Sequence, residues 1–365
     1  MKKINYKDVF FLNHCLPRYD ATFQEFFHDL SGNVGNTYIM NCICKILFGR
    51  ALKHNEVSGV ANLFDSNLES LNVDKINSEF KYVLINMQDQ IKPKLSYYPH
   101  RTSEGFRQVN QFLKKIKIPI LCYGLGANCP FGDLHGKDLV KQLNESQKTF
   151  VKIISDKAFM FSVRGDFTAE VMDTLRVKNY KIVGCPSFYT NDVMKLQLKI
   201  PIKKIAINSD FQFSKLSFYK GKYFDTNLKF YFSCQDEKHL LDDSKLSEYD
   251  SEFLNGIESL HCLTEPDQVV GFFNDKDLTI GGRVHGAIMS INNGIPAICC
   301  NIDARAKEMC QLFSIPSFDK ILLKKGFLSD YIDVMINHHY FEAFEYNWLK
   351  LKKKHDEFLN ISLHG

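Results

Sequence analysis

Short apolar runs alternate with amphipathic stretches of helix length along most of the chain. Val9–Leu12 reads as a strand, 35–48 as a helix, and Tyr82–Ile85 as the next strand. A helix near 104–115 precedes a strand over 118–123, which runs into Gly124-Leu125-Gly126. A helix over 137–154, a strand over 159–163, a helix over 166–176 and a short strand at 180–183 complete the first series. After the polar stretch 190–201 the pattern restarts, with strands at 205–208, 229–232, 259–263, 278–280 and 297–300. The stretch 211–227 follows neither period. Continuous apolar runs, rather than apolar–polar alternation, suit strands covered on both faces, which are those of parallel sheets.

The same strand–helix alternation in both halves predicts an α/β fold of two facing Rossmann-like domains with parallel sheets. The boundaries expected are 1–195, 196–327 and a C-terminal helical tail, 328–365, that packs back on the first domain. A chain of 365 residues is long for one core and suits two. Parallel sheets bind ligands beyond the carboxyl ends of their strands, so functional residues should follow strands and face the cleft between the domains.

Composition narrows the class. A hydrophobic share of 45% with 24% charged residues is that of a soluble globular protein, which sets aside disorder and fibrous repeats. The basic start Met1-Lys2-Lys3 is followed by an apolar stretch broken by Asn5, Lys7 and Asp8, unlike an export signal. No run approaches the ~20 apolar residues that span a bilayer. The expectation is a cytoplasmic protein. Eleven scattered cysteines cannot all pair and show no CxxC spacing, so they read as buried reduced thiols, with no metal site and no cofactor expected. The charge of +4 is dispersed except at Lys350, Lys352, Lys353 and Lys354. That run is either a solvated helix face or a peripheral contact with the anionic inner face of a membrane. No basic stripe interleaved with aromatics marks a nucleic-acid partner.

Five motifs follow strands. Ser31-Gly32-Asn33-Val34-Gly35-Asn36 precedes a helix; its glycines allow a tight turn for a polar ligand, or Asn33 and Asn36 simply cap the helix. It is not GxGxxG, so no dinucleotide is indicated. The loop from Gly124 through Gly126 and Asn128 to Asp133 can bring backbone close to a ligand, or merely leave the strand. Arg164, at the carboxyl end of a buried strand, can clamp a carboxylate or phosphate, or pair with Asp166, which itself reads as a helix N-cap. Gly281-Gly282-Arg283-Val284-His285-Gly286 joins a strand to a helix, placing an arginine and a proton-exchanging histidine where the helix dipole favours an anion. In the last motif Asp303 reads as a cap, with Arg305 and Glu308 as a pair on one helix face.

The ordered set resembles the polysaccharide pyruvyl transferase family. The resemblance rests on Gly32-Asn33-Val34-Gly35-Asn36, Ser162-Val163-Arg164-Gly165-Asp166, Gly184-Cys185-Pro186-Ser187-Phe188, Arg283-Val284-His285-Gly286-Ala287, Asn293-Gly294-Ile295-Pro296-Ala297 and the Asp303, Arg305, Glu308 set. It implies a fold similar to the two-domain GT-B glycosyltransferases. It also implies transfer of the pyruvyl unit of phosphoenolpyruvate onto two hydroxyls of a sugar or lipid-linked oligosaccharide acceptor in polysaccharide biosynthesis. On that resemblance Arg164, Arg283, Val284, His285 and Gly286 bind the donor, and His285 supplies the proton. Gly32, Asn33, Gly35, Asn36, Gly126 and Asn128 are the acceptor-side or loop candidates, and Asp303, Arg305 and Glu308 are weaker ones. Asn36 stands where the commoner form of the motif has Asp. Two other readings fit a chain of this form: a nucleotide-sugar glycosyltransferase, with Asp303 or Glu308 on a ribose, and a non-catalytic glycan-binding relative.

Overall fold

Twelve strands among the described residues form two six-stranded sheets in which every pairing is parallel. The computed structural model describes residues 3–16, 34–61, 63–64, 67–88, 90–93, 103–130, 135–208, 219, 222–234, 257–262, 266–319, 327–337 and 339–364. The first sheet contains β1 (Val9–Leu12), β2 (Ser58–Val60), β3 (Tyr82–Ile85), β4 (Ile120–Leu125), β5 (Ala158–Val163) and β6 (Lys181–Ile182), in the order β2-β1-β3-β4-β5-β6. The second contains β7 (Ile202–Ile207), β8 (Phe224–Cys234), β9 (Ile257–Cys262), β10 (Leu278–Gly281), β11 (Ala297–Asn301) and β12 (Ser317–Asp319), in the order β12-β11-β10-β7-β8-β9. The expected class, two parallel α/β sheets, is the one found.

Helices of the first half are α1 (Val34–Phe48), α2 (Val73–Glu79), α3 (Ser103–Lys115), α4 (Gly136–Gln142), α5 (Glu145–Lys157) and α6 (Asp166–Thr174). Those that follow are α7 (Pro266–Phe273), α8 (Val284–Asn292), α9 (Ala304–Phe313), α10 (Phe327–Asn337) and α11 (Tyr340–His364). The single helix predicted over 137–154 is in fact two. Asn144 accepts from the Gln147 backbone N–H at 2.9 Å, and Gln147 returns the bond to the Asn144 N–H at 3.1 Å. This capping box starts a new helix in the middle of the periodic run. β2 and β12 were not foreseen because three residues carry no readable period. β8 starts at Phe224, five residues ahead of the predicted run, and most of the unassigned 211–227 stretch lies outside the described residues.

One apolar core runs through both halves. Val9, Ile39 and Tyr123 of the first half pack in the same cluster as Val284, Ile288, Met309 and Phe313 of the second. Helix α11 closes it. Trp348 is fully buried and donates from Nε1 to the Phe188 carbonyl at 3.0 Å. Two turns on, the His355 ring stacks on Tyr189 at 4.0 Å and hydrogen-bonds the Tyr123 hydroxyl, while burial holds its pKa below that of a free histidine. The last helix is thereby fastened to a central strand of the first sheet.

Truncating Trp348 to Ala should therefore cost roughly 3–5 kcal/mol, the usual range for emptying a large aromatic site. Trp348 is the chain's only tryptophan, so urea unfolding is followed by circular dichroism rather than fluorescence. Trp348→Phe should restore most of the lost stability. An unchanged midpoint for Trp348→Ala would refute a fastening role for α11.

Candidate functional site

Each sheet has one point where its connections reverse. The chain passes from β1 outward to β2 and returns on the other side at β3; in the second sheet it runs from β7 to β8 and β9 and returns at β10. Between the carboxyl ends of such strands a crevice opens, and ligands of open α/β sheets bind there.

At the second crevice, the chain leaves β10 through Gly281-Gly282-Arg283 and enters α8 at Val284. Arg283 is the half-buried N-cap residue, with extended backbone (φ −90°, ψ 97°), so α8 starts directly where the chain leaves β10. His285 lies in the first turn, only 6% exposed, with Nε2 3.8 Å from the Cys185 thiol. Val284 points into the core. Gly281 and Gly286 are dictated by Asn208, which follows β7 and is fully buried beneath the turn: a Cβ on either glycine would collide with the Asn208 amide.

On the first sheet, β4 carries a bulge where the register shifts between Cys122 and Leu125, with Gly124 in left-handed backbone (φ +75°). The bulge turns the Gly124 carbonyl toward Arg164, whose Nε donates to it at 2.9 Å. Arg164 is fully buried at the end of β5, one strand over. A Cβ at Gly124 would also strike Pro186, the neighbour of Cys185. The 184–187 turn is thus flanked by Arg164, through Gly124, and by His285, through Cys185. The arrangement brings the arginine of the first half and the Arg-Val-His turn of the second to one strip of the interdomain cleft.

Glu308 crosses that cleft. It leaves α9 and accepts from the Thr168 backbone N–H at 2.9 Å and from the Thr168 hydroxyl at 2.8 Å, at the start of α6. It does not form the predicted face pair with Arg305 but caps a helix of the other half. For the same reason the N-cap of α6 is Gly165 and not Asp166: the capping oxygen comes from Glu308, and Gly165 leaves room for it. Burial pushes the Glu308 carboxyl up to about 7, against the Thr168 hydrogen bonds and the nearby Arg164 charge, both of which lower it. Asp303 does cap α9, accepting from the Ala306 N–H at 2.7 Å, and also accepts from Asn128 at 3.0 Å and Arg305 at 3.2 Å. Asn128 is therefore committed to an interdomain clasp, reinforced by the Pro130–Asp303 bridge.

Gly126 approaches the Gln88 carbonyl so closely that no Cβ fits, and it abuts the Arg164 side chain. Gly35 and Asn36 lie in the first turn of α1, which begins a residue earlier than predicted; Gly32 and Asn33 lie outside the described residues. Sequence reading missed a set of buried polar residues after β1, β3 and β7: Asn13, His14, Asn86, Gln88, Gln90 and Asn208. His14 is held neutral, its pKa lowered to about 3 by burial and by His54. The available signal was a polar residue directly after each apolar run at the reversal points.

The sequence profile of the polysaccharide pyruvyl transferase family matches residues 33–304. The chain belongs to that family and is a transferase. No curated protein matches it closely. Among solved structures it is similar to the UDP-GlcNAc 2-epimerase of Neisseria meningitidis bound to UDP-GlcNAc, with 9% identity over 96% of this chain and 98% of that one, at a TM-score of 0.48. It is also similar to HepE of Anabaena in complex with UDP and glucose, with 9% identity over 96% and 99% and a TM-score of 0.46. A third is the S. aureus MnaA–UDP complex, with 8% identity over 97% and 96% and a TM-score of 0.44.

The Glu308 shift has a definite sign. A carboxyl raised from 4.5 to about 7 on folding contributes stability that is fully present below pH 4.5 and lost as pH rises through about 7. Glu308→Gln keeps a neutral side chain able to accept from the Thr168 N–H, so it should flatten the stability profile across that window. Denaturation midpoints for both proteins from pH 4.5 to 8 decide this; parallel profiles would exclude Glu308 as the titrating group.

Proposed function

We propose that this transferase moves the pyruvyl group of phosphoenolpyruvate onto two hydroxyls of a sugar, forming a ketal and releasing phosphate. The observation that carries the reading is the placement of Arg164 and of the 283–285 turn on the two flanks of one short turn. The donor carries a carboxylate and a phosphate, and two guanidinium groups at a helix start, whose dipole favours an anion, match that charge. Protonation of the donor's methylene carbon leaves the adjacent carbon open to one acceptor hydroxyl. Departure of phosphate then opens it to the second. One hydroxyl proton balances the proton delivered to carbon, and the other leaves with phosphate. His285, buried beside this strip, is the acid for the first step. Such chemistry gains from a cleft that excludes water.

In this reading the protein works in the cytoplasm and meets the membrane only peripherally. No helix among the described residues is long and apolar enough to cross a membrane. The outward face of α11 sets exposed Lys350, Lys353 and Lys354 beside exposed Tyr346, Leu349 and Ile361. Basic and apolar side chains sharing one face suit an anionic lipid surface.

Calorimetry should show phosphoenolpyruvate binding weakened by roughly 1.5–3 kcal/mol in Arg283→Ala, the cost of a lost charge-assisted contact. Arg164→Lys, which keeps a positive charge near Glu308, should lose the bidentate part of its contact. His285→Gln should keep most of the affinity and lose ~10²–10⁴-fold in turnover, the range for removing a general acid. Stabilisation against heat by a UDP-sugar but not by phosphoenolpyruvate would overturn the assignment in favour of glycosyl transfer.

Flotation with phosphatidylserine vesicles should capture the protein at low salt and release it at high salt, because the attraction is screened within about 10 Å at 0.1 M. Replacing Lys350, Lys353 and Lys354 with Glu should abolish capture. Capture by neutral vesicles, or capture that survives high salt, would refute the electrostatic account.

A further inference from the structure

The reversal point of the first sheet carries side chains for which donor binding has no use. Gln88 follows β3 and is 1% exposed, yet neither its amide oxygen nor its amide nitrogen has a hydrogen-bond partner among the described residues. The amide nitrogen of Asn86 and the amide oxygen of Gln90, both in buried side chains, are in the same condition. An unmade hydrogen bond on a buried polar group costs ~1–3 kcal/mol, so several together within nine tenths burial or better demand a reason.

Packing alone does not supply one. Where these positions need fastening, other groups do it. Asn13 donates from Nδ2 to the Asn86 carbonyl at 2.6 Å, and its Oδ1 accepts from the Leu63 N–H at 3.3 Å. The chain leaves β1 with two non-glycine residues in left-handed backbone, Asn13 (φ 57°) and Cys15 (φ 49°). Such conformations cost on the order of 1–3 kcal/mol each and gather at ligand sites. Residue 88 also adjoins the donor strip through its backbone: the main-chain carbonyl of Gln88 lies against Gly126, and Gly126 in turn lies against the Arg164 side chain.

We propose that Asn86, Gln88 and Gln90 form the acceptor subsite, and that it takes a neutral polyhydroxylated ring. A carboxamide both donates and accepts, as a hydroxyl does, so three of them following one strand at the reversal point offer paired contacts to vicinal hydroxyls. None of the three carries a charge, whereas the donor strip next to them is built on arginines. These amides offer an anionic acceptor no opposite charge and present it with acceptor oxygens as well as donors, whereas the hydroxyls of a neutral sugar pair with both. The positions of Gln88, Gly126 and Arg164 then set acceptor hydroxyls beside the donor. The inference rests on pyruvyl transfer as the reaction, and it names the substrate class for the other half of that site.

The test uses methyl β-galactoside, methyl β-glucoside, methyl α-mannoside and methyl β-glucuronide as probes with the full chain. Phosphate release from phosphoenolpyruvate is measured across acceptor concentration, donor affinity by calorimetry, and glycoside binding by saturation-transfer NMR. Gln88→Ala and the isosteric Gln88→Met should raise the KM for a neutral glycoside at least tenfold, leave donor affinity within twofold and change kcat far less than KM. Gln88→Met removes an unpartnered amide at nearly constant volume, so it should not lower the thermal midpoint, whereas Gln88→Ala also leaves a cavity. An unchanged acceptor KM, or equal loss of donor and acceptor affinity, would overturn the subsite. Binding of the glucuronide alone, or of no neutral glycoside, would overturn the neutral-ring assignment. If the wild-type protein fails to bind phosphoenolpyruvate, the reaction assignment falls, while glycoside binding to wild type against Gln88→Ala still decides the subsite.

Discussion

Glu308 leaves a helix of the second sheet and ends on the first turn of a helix belonging to the other, next to the buried Arg164. That crossing ties the two walls of the cleft together. A carboxylate that caps a helix within its own half would leave the two sheets free to slide, since apolar contacts are non-directional. Two hydrogen bonds to Thr168 fix distance and angle together. The Asn128–Asp303–Arg305 clasp, a few residues away, repeats the constraint at the rim. Below both, the shared core from α1 to α11 supplies the bulk of the attraction without specifying the register. Polar contacts specify and apolar ones hold.

The glycines of the motifs are explained by what lies underneath them. Gly281 and Gly286 yield space to Asn208, Gly126 to the Gln88 carbonyl, Gly165 to Glu308 and Gly124 to Pro186. At each place a polar side chain, a turn or a carbonyl occupies the space that a Cβ would need. Gly124 needs its left-handed backbone as well, because the β4 bulge depends on it, and Gly184 and Gly294 share that conformation. Glycine-rich turns here report close approach more than flexibility.

Much of this was legible in the sequence, for reasons that also mark the limits. Buried parallel strands such as Val9–Leu12 and Ile120–Leu125 are continuous apolar runs, so both sheets could be read, while β2 and β12 are edge strands of three residues with no period to detect. Arg164 and the Arg283–His285 pair stood out because arginine and histidine after a buried strand are unusual. Glu308 was misread since a sequence shows only local neighbours: three residues from Arg305 on a helix suggests a pair, and its true partner is 140 positions away. Asn13, Asn86, Gln88 and Asn208 passed unnoticed because a lone amide after a strand is ordinary until its burial is known. The resemblance to a family carried the reaction; the residues alone carried an anion site between two sheets.

Several of the groups that break ordinary rules gather at the two reversal points: left-handed Asn13 and Cys15, and amide atoms of Asn86, Gln88, Gln90 and Asn208 that have no hydrogen-bond partner among the described residues. Others lie elsewhere, among them left-handed Arg176 and Ser314 and the Thr37 hydroxyl. Around them the described core is apolar, with its thiols reduced and buried. A protein can hold a handful of unmade hydrogen bonds, each costing ~1–3 kcal/mol, only if the surrounding packing over-determines their positions. The extensive core and the α11 fastening supply that excess. The division of labour follows from energetics: apolar burial far from the cleft stabilises the fold enough for a few polar groups within it to stay unsatisfied.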